Sequence, residues 1–123
     1  MSKPLAFLYY SNLVPGSQLS GRLQDLGYRV QCLDDATLLP EACERDMPLV
    51  VIAELFPPSE ARDAIAKVKR NPATQHIPVL GYSATHDAAA QSKAREAGVT
   101  LLAASEAVAG QLPQLLDQIL QVE

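Results

Sequence analysis

The sequence is poor in the residues that build metal sites, nucleotide-binding loops and hydrolytic triads. Its 123 residues include no tryptophan, two cysteines, two histidines and six glycines. Cys32 and Cys43 lack CxxC spacing, which favours reduced thiols over a disulfide or a metal site. Neither His76 nor His86 has a partner at ligand spacing, and no Gly-x-Gly-x-x-Gly, P-loop or Ser-His-Asp set is present. We therefore expect no metal, no cofactor and no catalysis by these chemistries.

An excess of positive charge is also missing. Ten Lys and Arg residues against fourteen Asp and Glu give a net charge of −4, which does not support nucleic-acid binding. The one basic cluster, Lys67, Lys69 and Arg70, is most simply a solvated helix end that complements the helix dipole. No stretch approaches the length of a membrane span, and the N-terminal Met-Ser-Lys-Pro lacks a signal peptide's apolar region. We expect a cytoplasmic protein without nucleic-acid or membrane partners.

Short apolar runs alternate with segments of helical periodicity along the whole chain. The predicted strands are Leu5–Tyr10, Tyr28–Leu33, Leu49–Leu55, Ile77–Ser83 and Val99–Ala104. The predicted helices are Ser17–Leu26, Ala36–Arg45, Ser59–Arg70, Asp87–Ala97 and Gln111–Gln121. Strict alternation of strand and helix indicates a parallel sheet with helices on both faces, and the length fits one domain over residues 1–123.

The most informative segment runs from Pro48 to Pro58. Leu49–Ala53 is an unbroken apolar stretch, too short for a surface helix, and it fits a strand buried on both faces. Glu54 is the first acid and stands where this strand should stop, before the stiff Pro57-Pro58 pair. Because ligands of open α/β sheets bind beyond the carboxyl ends of the strands, Glu54 is predicted to stand at the mouth of any site.

Four segments, in chain order, resemble the receiver domain of two-component response regulators. Leu26–Val30 is similar to the join of the first helix and second strand, and the Pro48–Pro58 segment resembles the acceptor strand and its following turn. Asn71–Ala84 is the closest stretch, and Ala97-Gly98 precedes the last strand as in that family. The resemblance covers essentially the whole chain. It implies a flavodoxin-like, three-layer α/β fold with a five-stranded parallel sheet in the order 2-1-3-4-5 and five helices.

The chain departs from the family at four of the five positions on which its phosphotransfer activity depends. The acidic pair that helps to hold magnesium aligns with Tyr10 and Ser11, and the phosphate-accepting aspartate aligns with Glu54. The switch hydroxyl is retained as Ser83, whereas the phosphate-neutralising lysine aligns with Ser105. Magnesium needs several oxygen ligands, usually including carboxylates, and phosphoryl transfer depends on neutralising the phosphoryl oxygens. We therefore expect neither a bound metal nor phosphorylation of the aspartyl type.

The residues that align with the acceptor pocket have more than one interpretation. Glu54 is either a solvated acid at a strand end or a fixed negative charge in place of a phosphoaspartate. The second interpretation requires a hydroxyl, from Tyr10 or Ser83, that donates a hydrogen bond to the carboxylate. Tyr10 also fits a simpler role as a ring that fills the volume of the missing ions. Ser83 and Ser105 also fit ordinary strand-end hydroxyls.

A partner surface is predicted around the fourth helix and fifth strand, where the resemblance places the partner contacts of receiver-like domains. The family's aromatic switch position aligns with Leu102, and small side chains at Ala90 and Ala94 would let another surface approach closely. The alternative is that these apolar residues belong to the core. Exposure of Leu102 would distinguish the two interpretations.

The sequence favours a degenerate, receiver-like signalling module that acts by protein–protein interaction. The partner would be a signalling kinase, an effector or a second copy of the chain. The alternative is a flavodoxin-like module for a small ligand or phosphate, with residues 11–17 as the binding loop and Tyr82 beside it. Catalysis has no positive support and ranks last.

Overall fold

The chain folds around one parallel β-sheet. The computed structural model describes residues 4–10, 13–33, 35–55, 58–83 and 88–121, without the side chains of residues 13–15, 58–59, 90, 106 and 121. The strands are β1 (Leu5–Tyr9), β2 (Arg29–Leu33), β3 (Val50–Glu54), β4 (Val79–Ser83) and β5 (Leu101–Ala104). All pair in parallel, in the order β2-β1-β3-β4-β5, which confirms the predicted topology.

Helices connect the strands and cover both faces of the sheet. They are α1 (Leu13–Asp25), α2 (Leu39–Asp46), α3 (Pro58–Arg70), α4 (Ala88–Ala97), the one-turn α5 (Ser105–Val108) and α6 (Leu112–Gln121). The five longer helices correspond to the five predicted ones, and α5 is an addition. The predicted helix Ala36–Arg45 begins as a 3₁₀ turn at Ala36–Leu38 and becomes α-helical from Leu39. α1 begins before the predicted Ser17 because Pro15 falls in the first turn, where its missing N–H has no intrahelical partner. No helix in these ranges is both long and apolar enough to cross a bilayer.

Alternate residues of the central strands feed two separate apolar cores. Phe7 and Val51 lie on the side covered by α2, α3 and α4, whereas Leu8 and Ile52 lie on the side covered by α1 and α6. All five residues of β3 are buried, as expected for a strand with helices on both faces. This arrangement places Glu54, the last residue of β3, at the carboxyl edge of the sheet.

The turns between elements follow the local chemistry of the sequence. Gly27 and Gly98 adopt φ values of 91° and 115°, so each closes the helix before it in a left-handed conformation. β4 begins at Val79 rather than at the predicted Ile77, because residues 71–77 form turns. The buried hydroxyl of Thr74 holds these turns against α3 by donating to the Val68 carbonyl at 2.7 Å.

Lys69 connects the last turn of α3 to the end of α4. Its ammonium donates to the carbonyls of Ile77 at 2.6 Å and Gln75 at 3.3 Å. Its aliphatic stem lies so close to Gly98 that a Cβ added there would overlap it. Burial lowers the pKa of the Lys69 ammonium. The sequence predicted a fully solvated basic cluster, and Lys69 is the member that departs from it.

Both cysteines are free, as predicted. Cys32 is exposed on the edge strand β2, whereas Cys43 is buried in the core under α2. Burial raises the pKa of the Cys43 thiol to about 12, so this thiol stays protonated and unreactive near neutral pH.

The ring of Tyr10 packs directly on the backbone of α1. Tyr10 follows β1 and is half-buried on the side of the sheet that α1 and α6 cover. It lies over Gly16, where an added Cβ would overlap three ring atoms. Gly21, one and a half turns further along the same helix, has no atom within 4 Å of the position that a Cβ would take. Of the two glycines of α1, Gly16 is therefore the one that close approach requires.

The two glycines of α1 should respond in opposite ways to replacement by alanine. Gly16→Ala must displace the Tyr10 ring, and we expect a loss of about 1–3 kcal/mol in the free energy of unfolding. Gly21→Ala should raise that free energy by about 0.5–1 kcal/mol, because alanine is the better helix former and nothing obstructs it. Urea unfolding followed by circular dichroism measures both changes. A neutral or stabilising Gly16→Ala would contradict the packing described here.

Candidate functional site

Glu54 is a nearly buried carboxylate at the centre of the carboxyl edge of the sheet. Its residue is 4% exposed, which is far below what a solvated acid at a strand end would show. Its Cα is paired with that of Tyr82 on β4, and the preceding Ala53 is paired with Tyr9 on β1. The position predicted from the sequence is therefore confirmed, whereas the interpretation of Glu54 as a fully solvated acid is wrong.

Two tyrosines lie on the same side of the sheet as Glu54. Tyr82 shares this side because residues directly paired in a parallel sheet point to the same face, and Tyr10 packs in the same core. Burial raises the pKa of the Tyr82 phenol, and the nearby charges of Glu54, Tyr10 and Tyr9 raise it further. The Tyr82 hydroxyl thus lies within electrostatic range of all three groups.

The Tyr82 hydroxyl is buried without a hydrogen-bond partner. Its residue is 0% exposed, and its oxygen is the one buried side-chain polar atom of the described residues that makes no hydrogen bond. Most buried polar groups in folded proteins are paired, so an exception calls for a physical explanation. Sequence reasoning considered Tyr82 only as a ring beside a ligand loop, because a tyrosine within an apolar strand gives no signal of an unpaired hydroxyl.

Acidic groups also surround Tyr9, which faces the opposite core. Burial raises the pKa of the Tyr9 phenol, and the charges of Glu60, Glu54 and Asp35 raise it further in that order. Glu60 lies in the first turn of α3, and Asp35 accepts hydrogen bonds from the backbone and hydroxyl of Thr37. The charge of Asp35, which follows β2, thus reaches Tyr9. Each of the three charges that raise the pKa of Tyr9 is that of a carboxylate.

The structure describes two of the three predicted serines. Ser83 is the half-buried last residue of β4, and its Cα pairs with that of Ala104. Ser105 follows Ala104 directly and is the half-buried first residue of α5. The fold therefore brings both to the edge of the sheet that carries Glu54. Ser11 lies outside the described residues.

The predicted partner surface is only partly available. Ala94 is 1% exposed and belongs to the core beneath α4, so it cannot contact a partner; its inclusion in the partner face was wrong. Leu102 is half-buried, with part of its side chain against the same core. Ala90 lies on α4, but its side chain is outside the described residues. Of the two whose side chains are described, Leu102 is the more exposed.

The described part of the site contains no cluster of metal ligands, and the described part of the considered phosphate loop is helical. No group of three or more His, Cys, Asp or Glu in the described ranges is arranged to hold a metal ion. The segment considered as a phosphate loop is helical from Leu13, and Gly16 is buried under the Tyr10 ring rather than open to a ligand. The arrangement is instead a nearly buried carboxylate whose charge reaches the phenols of Tyr9 and Tyr82, with Glu60 and Asp35 also near Tyr9.

Removing the unpaired hydroxyl should stabilise the protein. We expect Tyr82→Phe to raise the free energy of unfolding by about 1–3 kcal/mol, the usual cost of a buried polar group that lacks a partner. Tyr28→Phe, at the opposite end of the sheet, provides a control in which the half-buried hydroxyl is lost with little effect. Urea unfolding of the two variants measures the difference. Destabilisation by Tyr82→Phe would show that the hydroxyl is hydrogen-bonded in solution.

Comparison with known proteins gives matches at the level of structure. No family model matches the sequence, and no curated protein matches it. A proposed response regulator from Chloroflexus aurantiacus is 20% identical with a TM-score of 0.87, over 98% of this chain and 99% of that one. The receiver domain of a Pseudomonas aeruginosa sensor histidine kinase, solved with magnesium in its active-site cleft, is 17% identical with a TM-score of 0.87 and the same coverage.

A third similar structure is a response regulator from Thermotoga maritima, which is 14% identical with a TM-score of 0.83. The match spans 97% of this chain and 98% of that one. Three bacterial proteins of low sequence identity thus share one architecture with this chain along almost the whole length of each. The chain has the fold of response regulator receiver domains.

Proposed function

We propose that this chain is a degenerate receiver-like signalling module that acts through protein–protein interaction and is not phosphorylated on an acidic side chain. The receiver fold supports the signalling role. The observation that carries the rest is the nearly buried Glu54 at the acceptor position, among phenols and further carboxylates.

Electrostatics at the edge of the sheet opposes phosphoryl transfer. The phosphoryl group is anionic, and its transfer is catalysed by positive charge that neutralises its oxygens. The charges near Tyr9 are those of Glu60, Glu54 and Asp35, and the position of the family's lysine is Ser105. A phosphate placed here would meet carboxylates of like charge. This is why we infer that the module is not an enzyme and does not run the phosphotransfer cycle.

A permanent carboxylate at position 54 supplies a constant negative charge where the family acquires one transiently. Glu54 is held at the end of a fully buried central strand, so its charge has a fixed place relative to β4 and β5. A partner that recognises this charge would bind without any prior modification. We infer that the partner is a kinase, an effector or a second copy of the chain, and that Leu102 lies at or near the contact.

The protein should gain no phosphoryl group from a small phosphodonor. We expect the intact mass to remain unchanged after incubation with acetyl phosphate and magnesium, while an active receiver domain treated in parallel gains one phosphoryl mass. Glu54→Asp should also stay unmodified, because restoring the acceptor supplies neither the second metal-binding acid nor the lysine. A phosphoryl group mapped to position 54, in the wild type or in this variant, would contradict the proposed function.

Neutralising Glu54 should weaken capture of the partner. We expect Glu54→Gln, immobilised and exposed to extract from the producing cells, to retain its main partner about tenfold less well, since a charge-assisted hydrogen bond is lost. Glu96→Gln, an exposed acid in the last turn of α4, makes the same change of charge away from the edge and should bind normally. Sedimentation of the purified proteins tests the second copy as the partner. Equal retention by Glu54→Gln and wild type would overturn the proposal.

A further inference from the structure

The layer of helices formed by α1 and α6 carries far fewer charges than the layer on the other side of the sheet. α1 and α6 together have three charged residues among 23, whereas α2, α3 and α4 have thirteen among 31. Apart from Asp117, the exposed side chains of α6 that the structure describes are Pro113, Gln114 and Gln118. Charged residues are depleted at the core of protein–protein interfaces, so the charge-poor layer is the better candidate for a contact.

An open groove of about 440 Å³ lies on this layer, near the amino ends of the strands. Its lining includes Leu26 and Tyr28, which come before β2, and Leu116, Asp117 and Leu120 of α6. Leu26 is 42% exposed and Leu120 is half-buried, so apolar surface remains in contact with water here. Covering such surface with another apolar surface is favourable, because it removes the apolar groups from water.

Two opposite charges lie beside the groove, one on each helix. Asp117 lines it, and the pKa of the Tyr28 phenol is raised by burial and then further by the Asp117 charge. Arg22 lies one turn before Leu26, whose N–H donates to the Arg22 carbonyl at 3.0 Å, so both side chains share one face of α1. Arg22 and Asp117 are exposed, and neither forms an ion pair with another residue of the described ranges.

The directions of the two helices make this surface self-complementary. Leu26 at the end of α1 and Leu120 in the last turn of α6 line the same groove, so both helices run toward the amino edge of the sheet. A two-fold axis between the helices, and parallel to them, would place α1 of one copy over α6 of another. The same rotation brings each Arg22 to the Asp117 of the other copy. A two-fold interface requires such matching of one patch with itself.

We propose that a second copy of the chain covers this groove, in a two-fold dimer in which α1 of each protomer packs on α6 of the other and Arg22 pairs with Asp117. The argument for this occupant is charge complementarity within one patch. The two ion pairs set the orientation of the protomers, while coverage of the apolar groove supplies affinity. The groove lies at the opposite end of the sheet from Glu54, so the inference goes beyond the proposed function and does not depend on it.

Reversal of the two charges tests the dimer. We expect sedimentation of the full chain to show a monomer–dimer equilibrium at protein concentrations between about 1 µM and 1 mM. Asp117→Arg and Arg22→Asp should each raise the Kd of the dimer about tenfold or more, because like charges then face each other. The double variant, Arg22→Asp with Asp117→Arg, should restore the dimer because opposite charges face each other again.

Matched variants separate this contact from general effects of charge and polarity. Glu96→Arg makes the same change of charge at an exposed position of α4 and should leave the Kd unchanged. Leu26→Gln should raise the Kd about tenfold, because its apolar side chain is covered in the dimer. Leu38→Gln should not, although Leu38 is 49% exposed, since it lies before α2 on the other side of the sheet. Circular dichroism of each variant checks that the fold is retained.

The outcomes separate this inference from the proposed function. A chain that stays monomeric throughout this range would overturn the second copy as the occupant. A dimer that Asp117→Arg leaves intact, or that the double variant fails to restore, would overturn the Arg22–Asp117 contact. Glu54→Gln should dimerise as the wild type does. A dimer that depends on Glu54 and not on Asp117 would support the proposed function with a second copy as partner, and the inference about the groove would fall.

Discussion

The burial of one carboxylate at the end of the central strand is the constraint on which the properties of this molecule depend. Glu54 is fixed by its place in β3, and its charge acts on the phenols of Tyr9 and Tyr82. In a low-dielectric position its charge is felt more strongly by each neighbour than a surface charge would be. The pKa values of Tyr9 and Tyr82 are raised first by burial and then further by this charge.

A fixed charge changes what kind of signalling element a receiver-like fold can be. A cycle of modification makes the charge at the acceptor position depend on an upstream enzyme. In the proposed function, a carboxylate encoded in the sequence removes that dependence, and control then acts on the abundance of the protein or of its partner. The unpaired Tyr82 hydroxyl is a separate feature of the same edge, and its burial carries a cost in stability.

Much of the fold could be predicted from the sequence, because the decisive signals are local. The apolar run of β3, the glycines that follow α1 and α4 and the Asn71-Pro72 pair that follows α3 are all local features of the sequence, and each stands where an element begins or ends in the structure. The position of Glu54 follows from the same run. Its burial could not be predicted, because it depends on residues from β1 and β4 that only the sheet brings together.

The errors also have a common cause. The sequence around Ala94 also fits a surface position, but α4 packs on the sheet with Ala94 facing the core. Lys69 resembles a solvated lysine, but the turns that follow α3 place carbonyls within its reach. In both cases long-range packing decided the environment of a residue whose local pattern was ambiguous.

The Lys69 contact also has a mechanical consequence for the two helices it joins. Its stem occupies the space beside Gly98, and its ammonium holds the carbonyls that precede β4, so the far ends of α3 and α4 are clamped together. The near end of α4 follows β4 and lies toward the edge that carries Ser83. If a protein bound to the near end of α4 displaced it, the far end would stay in place beside Lys69. The helix would then rotate about Gly98, and its near end, on the side of Glu54, would move most.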